Sequence, residues 1–404
     1  MDYGNRMETM LIHSGYDARD YKDSLSPPLY LSSTFVFPTA EQGEQRFSGK
    51  DDGFIYSRLA NPTVRILEER MAALEKGEDA IAFASGMAAV SAVLLHLTKA
   101  GDHILCSRGI YGCTFGLLRL FQEKNGITYS FCSMTDEKEI EAGLRENTAC
   151  IFLETPVNPT MEVNDLELVV KAARRRGIPV VVDNTFSSPY LQNPLEFGCD
   201  YVVHSATKYI GGHGDVIAGI VVGKDREAMQ QLRNRIQKDI GGIISPFDAW
   251  LLLRGLKTLH VRMDRHVENA KKLFEYLKTV PLVEKIFYPG DPENKYYPVV
   301  KKQMRAPGAM LSFTVKGGRE MAQALIDALK MVKIAVSLGD AETLIQHPAT
   351  MTHSAVPAES REAMGITDNM LRLSVGLEAA EDIIEDFRRA FQKAERLWSG
   401  KKLA

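Results

Sequence analysis

The chain has 404 residues, of which 45% are hydrophobic and 25% charged, enough for a large core shared between two domains. Its formal charge of −3 provides no footprint for nucleic acid or an acidic membrane surface. No apolar run reaches the length of a membrane span, and the polar start MDYGNRMETMLIHSGYDARD has no signal-peptide core, so a cytoplasmic protein is expected.

Residues 1–60 show weak periodicity and many turn formers, as in SLSPPLYLSSTFVFPTAEQGEQ. This predicts an extended arm, which has no core of its own and must lie on something else, another subunit being the natural candidate. At Asn61 a helix begins, with Asn61 as N-cap and Pro62 at the first helical position. Apolar spacing carries it through TVRILEERMAALEKG to a stop at Gly77. The segments AIAFAS, HILCS, ITYSFCS, ACIFLE and IPVVVDN then alternate with helical segments. Continuous apolar strands alternating with helices predict an α/β domain around a mostly parallel, buried sheet. YVVHSA and GIVVG follow with only a short connection, which predicts an antiparallel pair within that sheet. From about residue 247, PFDAWLLLRGLKTLHVRMDRHVENAKKLFEYLKTV predicts one long helical run. The strands AMLSFTVKG and LRLSVGL, mixed with helices, predict a smaller C-terminal α+β domain. The expected division is an arm over 1–60, an α/β domain over 61–258 and the smaller domain over 259–404.

Five cysteines are present, Cys106, Cys113, Cys132, Cys150 and Cys199, with no C-x-x-C pair. The odd count and the spacing argue against a disulfide scaffold and against a cysteine-based zinc site. No metal is expected.

Open α/β sheets bind ligands at the carboxyl ends of their strands, so the residues found there carry the argument. Ser85, Gly86 and Met87 follow AIAFA and open a helix. The N–H groups and dipole of such a start suit a phosphate, although a plain cap has the same sequence. Asp183 ends IPVVVD, where an acid either caps the next turn or holds a cation. VVHSATKYIGGHGDVIAGIVVG places Ser205, Thr207 and Lys208 just after a strand, in a stretch poor in other charges. Burial lowers the pKa of such a lysine and frees its amine to form an imine. Tyr111 follows HILCSRGI, and Arg372 lies at the start of the strand LRLSVGL. A guanidinium there either braces the structure or clamps a carboxylate. Taken jointly, an imine-forming lysine, an acid for a pyridine nitrogen, phosphate donors, a stacking aromatic ring and an arginine for a substrate carboxylate describe a pyridoxal 5′-phosphate site. The G-x-G-x-x-G pattern does not follow the first strand, which counts against a nicotinamide enzyme.

The segments VVHSATKYIGGHGDVIAGIVVG, VVDNTFSSPYLQNPLEFGCD, YSRLANPT, FASGMAA and SLGDAETLIQHPATMTHS resemble the Cys/Met-metabolism family of pyridoxal-phosphate enzymes, from about residue 10 to the C-terminus. The resemblance implies the fold-type I, aspartate-aminotransferase-like architecture. It implies Lys208 as the imine-forming lysine and the group that moves the Cα proton, with Asp183 on the pyridinium nitrogen. It implies the N–H groups of Ser85, Gly86 and Met87, with the hydroxyls of Ser205 and Thr207, on the phosphate. Tyr111 would stack on the ring and protonate a leaving thiolate, and Asn158 would lie near the phenolic oxygen. Arg372 and Ser337 would hold the carboxylate of an amino-acid substrate. Tyr56 and Arg58 match residues that reach the phosphate in the neighbouring subunit. The implied active unit is therefore a dimer, and the implied assembly a homotetramer of two such dimers.

Reactions differ within the family, as fold alone does not set chemistry. Three features resemble methionine γ-lyases: Cys113 in YGCTFG, Lys238-Asp239 in RIQKDIGG near the substrate pocket, and Val336 before SLGDAETL. Valine offers nothing to the distal amino group of cystathionine. The implied reaction is γ-elimination of L-methionine to methanethiol, 2-oxobutanoate and ammonia, with homocysteine and, by α,β-elimination, cysteine as further substrates. An O-acetylhomoserine sulfhydrylase, whose relatives share SLGD, stays open, as does a cystathionine γ-lyase or homocysteine desulfhydrase. An inactive scaffold serving as an interaction partner would have lost Lys208, Asp183 or Arg372, and all three are present. Tyr111 releases a proton near neutral pH only if its pKa lies well below the free value of about 10. A neighbouring cation such as Arg58 is the expected means.

Overall fold

Strands that are apolar on both faces need cover on both sides, and the chain provides it by placing a helix after most of them. The structure is a computed structural model that describes residues 6–354, 356 and 358–402. Seven strands form the larger sheet: β1 (Asp79–Phe83), β2 (His103–Ser107), β3 (Thr128–Cys132), β4 (Thr148–Glu154), β5 (Val180–Asp183), β6 (Tyr201–Ser205) and β7 (Gly219–Gly223). Their spatial order is β1-β7-β6-β5-β4-β2-β3. Neighbours are parallel except around β7, which is antiparallel to both β6 and β1. The antiparallel β6–β7 pair matches the sequence expectation. The insertion of β7 between β6 and β1 had no local signal.

Alternation along the strands divides the core. Ala80, Ala82, Ile220 and Val222 pack with the helices Pro62–Glu75 and Pro246–Leu256. Ile81, Phe83 and Val221 pack on the other face with the helix Gly86–Leu97. The smaller sheet holds β8 (Val283–Phe287), β9 (Met310–Val315), β10 (Lys333–Ile334), β11 (Leu344–Gln346) and β12 (Met370–Ser374), in the order β10-β11-β12-β9-β8. The helices Gly318–Ala328 and Ala380–Lys402 pack on it.

Three local expectations change. The Asn61 side chain caps Thr63 and Val64, at 2.9 and 3.4 Å, but the helix stops at Lys76, which takes a left-handed conformation (φ 62°) one residue before the expected stop at Gly77. Gly77 is small for another reason, since a Cβ there would lie 2.5 Å from Val222 Cγ1. The long run from 247 is two helices, Pro246–Leu256 and Leu259–Lys278. At the break the Gly255 carbonyl accepts from Thr258 Oγ1 (3.2 Å) and from Arg262 (2.9 Å). Arg262 also reaches the Tyr209 carbonyl at 2.7 Å, so the break ties this helix pair to the turn beyond β6. Finally, residues 6–60 are not extended throughout. The helix Met7–His13 buries Leu11 beside the helix Pro62–Glu75, and Ala40–Phe47 is helical. Leu25, Leu31 and Val36 between them, and Phe47 at the end of the second, are exposed.

Candidate active site

Strands β1, β4, β5 and β6 share one direction, so their carboxyl ends open on one side of the sheet. A cavity of about 300 Å³ lies there. Ser85, Gly86 and Met87 enter it from beyond β1, Tyr111 from beyond β2 and Asn158 from beyond β4. Asp183 ends β5, and Ser205, Thr207 and Lys208 come from the end of β6 and the turn after it. Ser337 and Arg372 reach in from the smaller sheet and its connections. Tyr56, Arg58, Cys113, Lys238 and Asp239 do not line this cavity.

One end of the cavity is built for an anion. Ser85 caps the helix Gly86–Leu97 by accepting from Ala88 N–H at 3.1 Å. The first N–H groups of a helix have no partner within it, and those of Gly86 and Met87 stand at this start. Side chains are excluded nearby: a Cβ on Gly86 would be 2.9 Å from Ser205 Cβ, and one on Gly219 would be 2.1 Å from the Ser85 carbonyl. Thr207 belongs to the same wall, but its hydroxyl already accepts from Ala218 N–H (3.0 Å) and donates to Ala218 O (3.2 Å).

At the floor, the β4–β5 register sets Glu154 beside Asp183. Two neighbouring carboxyls, Glu154 buried and Asp183 half-buried, cannot both be charged cheaply, and their surroundings differ. Asp183 Oδ1 accepts from Thr185 N–H at 3.0 Å and from its hydroxyl at 2.5 Å. Burial raises the Asp183 pKa, against these bonds and the nearby His204. Burial raises Glu154 well above the usual range, the charge of Asp183 raises it further, and one N–H from Tyr111 at 2.5 Å opposes this. Asp183, with two donors on one oxygen, is the better placed of the two to hold the negative charge, and Glu154 is the more strongly pushed towards its protonated form. Glu154 was not singled out in the sequence, although it ends ACIFLE just as Asp183 ends IPVVVD.

Lys208 Nζ donates to Ser337 Oγ at 3.1 Å. Burial lowers its pKa, Asp340 raises it and Arg372 lowers it. Arg372 is buried and donates to Asn158 Oδ1 and to the Ser337 carbonyl, both at 2.9 Å. The Gln346 side-chain oxygen, in the orientation its surroundings demand, stands 3.1 Å from Arg372 Nε. Burial pulls the guanidinium down to about 10, which leaves it charged at neutral pH.

At the rim, Tyr111 is pushed up to about 12, first by burial, then by the Cys113 side chain, with Arg372 opposing. The cation acting on it within the chain is Arg372, where Arg58 was expected. Cys113 is exposed, near the start of the helix Gly112–Asn125. The Arg58 guanidinium lies 5.8 Å from the centre of the Tyr56 ring and donates to the Lys238 carbonyl. Lys238 and Asp239 are exposed, 3.5 Å apart, and follow a π-helical stretch, Leu232–Gln237.

Residues 8–392 match the family model described as Cys/Met metabolism PLP-dependent enzyme. The chain belongs to this family. It is 47% identical over 387 residues to an L-methionine γ-lyase of Fusobacterium nucleatum subsp. polymorphum, covering 95% of this chain and 98% of that protein. It is 40% identical over 387 residues to a cystathionine γ-lyase of Bacillus subtilis, covering 96% and 99%. The solved structure of cystathionine γ-lyase from Lactobacillus plantarum complexed with L-serine superposes with a TM-score of 0.91 at 41% identity, over 96% of this chain and 99% of that one. The fold is thus the α/β fold of these enzymes, and the chain is a PLP-dependent enzyme of the carbon–sulfur lyase kind, similar to methionine γ-lyases. No described helix is long and apolar enough to cross a membrane.

The cavity fits the cofactor of this family. An anion cup free of side chains lies at one end, and a half-buried carboxylate with an oxygen not taken up by Thr185 lies at the floor. A lysine whose amine is favoured by burial faces the space between.

Proposed function

We propose that the protein eliminates methanethiol from L-methionine, giving 2-oxobutanoate and ammonia, and acts on homocysteine and cysteine as well. The observation that carries this reading is the hydrocarbon in the cavity wall. Val336, Ile217 and Leu338 line the cavity together with Arg372, so a carboxylate held by the guanidinium would leave the rest of the substrate against hydrocarbon. A methyl thioether suits that wall, and the distal ammonium of cystathionine does not.

Bound pyridoxal 5′-phosphate would supply an electron sink for the pair left when a proton leaves Cα. Lys208 would hold the cofactor covalently, then act as base at Cα and Cβ once displaced. Asp183 would keep the proton on the ring nitrogen. The N–H groups of Ser85, Gly86 and Met87, with the hydroxyl of Ser205, would hold the phosphate, and that of Thr207 would join after turning from Ala218. Tyr111 would stack on the ring and give its proton to the departing sulfur once a further cation, such as Arg58 of a second subunit, brings its raised pKa down. Asn158 would orient the phenolic edge. Arg372 and Ser337 would fix the substrate carboxylate, while Cys113, Lys238 and Asp239 would shape substrate choice at the rim. Tyr56 and Arg58 lie outside their own cavity and would complete that of a second subunit, in a homotetramer of paired dimers. On this reading residues 1–60 form the exchanged arm, 61–258 the cofactor domain and 259–404 the smaller domain.

Assay of keto acid and volatile thiol from methionine tests the reading, with cystathionine and with O-acetylhomoserine plus sulfide alongside. Methionine should give the highest kcat/KM. A preference for cystathionine, or for replacement of acetate by sulfide, would assign one of the related reactions instead.

A further inference from the structure

We propose that Asp340 is a positioning residue that acts through Ser337 to stabilise the ammonium form of Lys208. This rests on the reading of Lys208 as the working base and adds a residue that does not itself line the cavity.

Asp340 lies on the loop between β10 and β11, three residues after Ser337. That loop is seated on the backbone of the lysine itself. Gly339 has φ +78°, and a Cβ there would stand 2.6 Å from Tyr209 N and 3.0 Å from the Lys208 carbonyl carbon. On the other side, Gly214 (φ +67°) faces the carboxyl group, with a virtual Cβ 3.6 Å from Oδ1. The carboxyl is enclosed between the loop after Lys208 and the loop after β10, and Asp340 is only 7% exposed. Its Oδ1 is buried with no hydrogen-bond partner. An unmatched buried carboxylate oxygen costs stability, so its retention calls for an explanation.

The neighbours provide one. Lys208 Nζ donates to Ser337 Oγ at 3.1 Å, and Asp340, three residues further along the same loop, is a carboxyl whose charge Ser337 and Lys208 both favour. A hydroxyl can accept from an ammonium and donate its own hydrogen onward to a carboxylate. A turn of the Ser337 hydroxyl towards Asp340 would set the order ammonium, hydroxyl, carboxylate, in which each charge favours the other. When Nζ takes the proton from Cα it becomes an ammonium, and Ser337 and Asp340 are placed to stabilise it until the proton is handed on. No atom is consumed in the exchange.

The groups that act on Lys208 are Asp340, which favours its charge, and Arg372, which opposes it. Those that act on Asp340 are Ser337 and Lys208, which favour its charge, and Glu342 and Asp215, which oppose it. Neutralising Asp340 removes the carboxylate that favours the Lys208 ammonium, so the amine should lose its proton at lower pH.

The test follows the reactivity of Lys208 towards an amine-directed reagent in the cofactor-free full-length chain, read by peptide mass mapping across neutral to alkaline pH. Asp340→Asn should move half-maximal labelling down by about one pH unit, so that labelling on the acid limb is about tenfold faster. Asp340→Glu should restore most of the wild-type profile. Ser337→Ala, which keeps the carboxylate and breaks the relay, should shift in the same direction and serves if the Asn variant does not fold. An unchanged profile in Asp340→Asn, or in Ser337→Ala where that variant has to serve, overturns the proposal. Borohydride reduction of the cofactor-loaded wild type, followed by mapping of the attachment site, separately tests the role of Lys208. A different attached lysine with an intact pH shift would refute that role and leave the Asp340 coupling standing.

Discussion

The cavity floor and the rim are built on opposite terms. Asp183, Lys208 and Arg372 are brought together by strand ends and loops of one chain, and each has its partners there: Thr185 for Asp183, Ser337 for Lys208, Asn158 for Arg372. The rim is unfinished. Arg58 and Tyr56 lie away from their own cavity, and Leu25, Leu31 and Val36 stand exposed on the segment leading to them. On the proposed reading these side chains would be covered in an assembly. The floor can be understood within one subunit, whereas on the proposed reading the rim would be completed by a second.

Substitutions can break that contrast. The largest effect is expected at the floor. Lys208→Ala should abolish turnover and remove the visible absorption of the substrate-free, cofactor-loaded enzyme; a variant that retained both would move the attachment elsewhere. Next comes Arg58→Ala. If Arg58 reaches a neighbour's phosphate, charge-assisted bonds worth roughly 1.5–3 kcal/mol are lost, and cofactor affinity should drop at least about tenfold in equilibrium titration. Mixing Arg58→Ala with Lys208→Ala protein should recover some activity, because re-assorted dimers contain sites with both residues. No recovery after demonstrated subunit exchange would return Arg58 to its own chain.

Cys113→Ser should leave the cofactor in place while kcat/KM for methionine falls by about tenfold, or roughly 1.4 kcal/mol. The ratio of methionine to cysteine turnover should shift too. Equal retention of all substrates would make the thiol mere filling beside Tyr111.

The smallest effect concerns stability. The folded state raises the Glu154 pKa above its unfolded value, so the wild type loses stability as pH rises from the unfolded carboxylate range towards the folded pKa. Glu154→Gln keeps an acceptor for Tyr111 N–H and cannot ionise. Its melting temperature should exceed that of the wild type at neutral pH, by an amount equivalent to roughly 1 kcal/mol, and the gap should close in acid. A pH-independent difference would mean that Glu154 is not the group being charged.

What the sequence discloses follows the same division. Runs such as HILCS and IPVVVDN announce strands because apolar residues fill them, and residues just past their ends are candidates by topology alone. Asp183 and Lys208 were legible in this way. The pairing of Glu154 with Asp183 was not, because it depends on the register of β4 against β5, which no local pattern records. The break after Leu256 was hidden as well. Apolar spacing runs across it, and its cause is the distant Tyr209 carbonyl that Arg262 must reach. Lys76 took a left-handed turn beside a glycine that was needed for contact with β7 instead.

Gly219 gives the antiparallel insertion of β7 a further meaning. It pairs with Phe83 of β1 on one side and with Ser205 of β6 on the other, so it stands between the anion cup and the strand that leads to the lysine. Its missing side chain, which would meet the Ser85 carbonyl at 2.1 Å, lets the two anchors approach. The backbone of this one residue works as a caliper. On the proposed reading it would preset the span between a phosphate at the cup and a carbonyl at Lys208, and so would favour a ligand by its length.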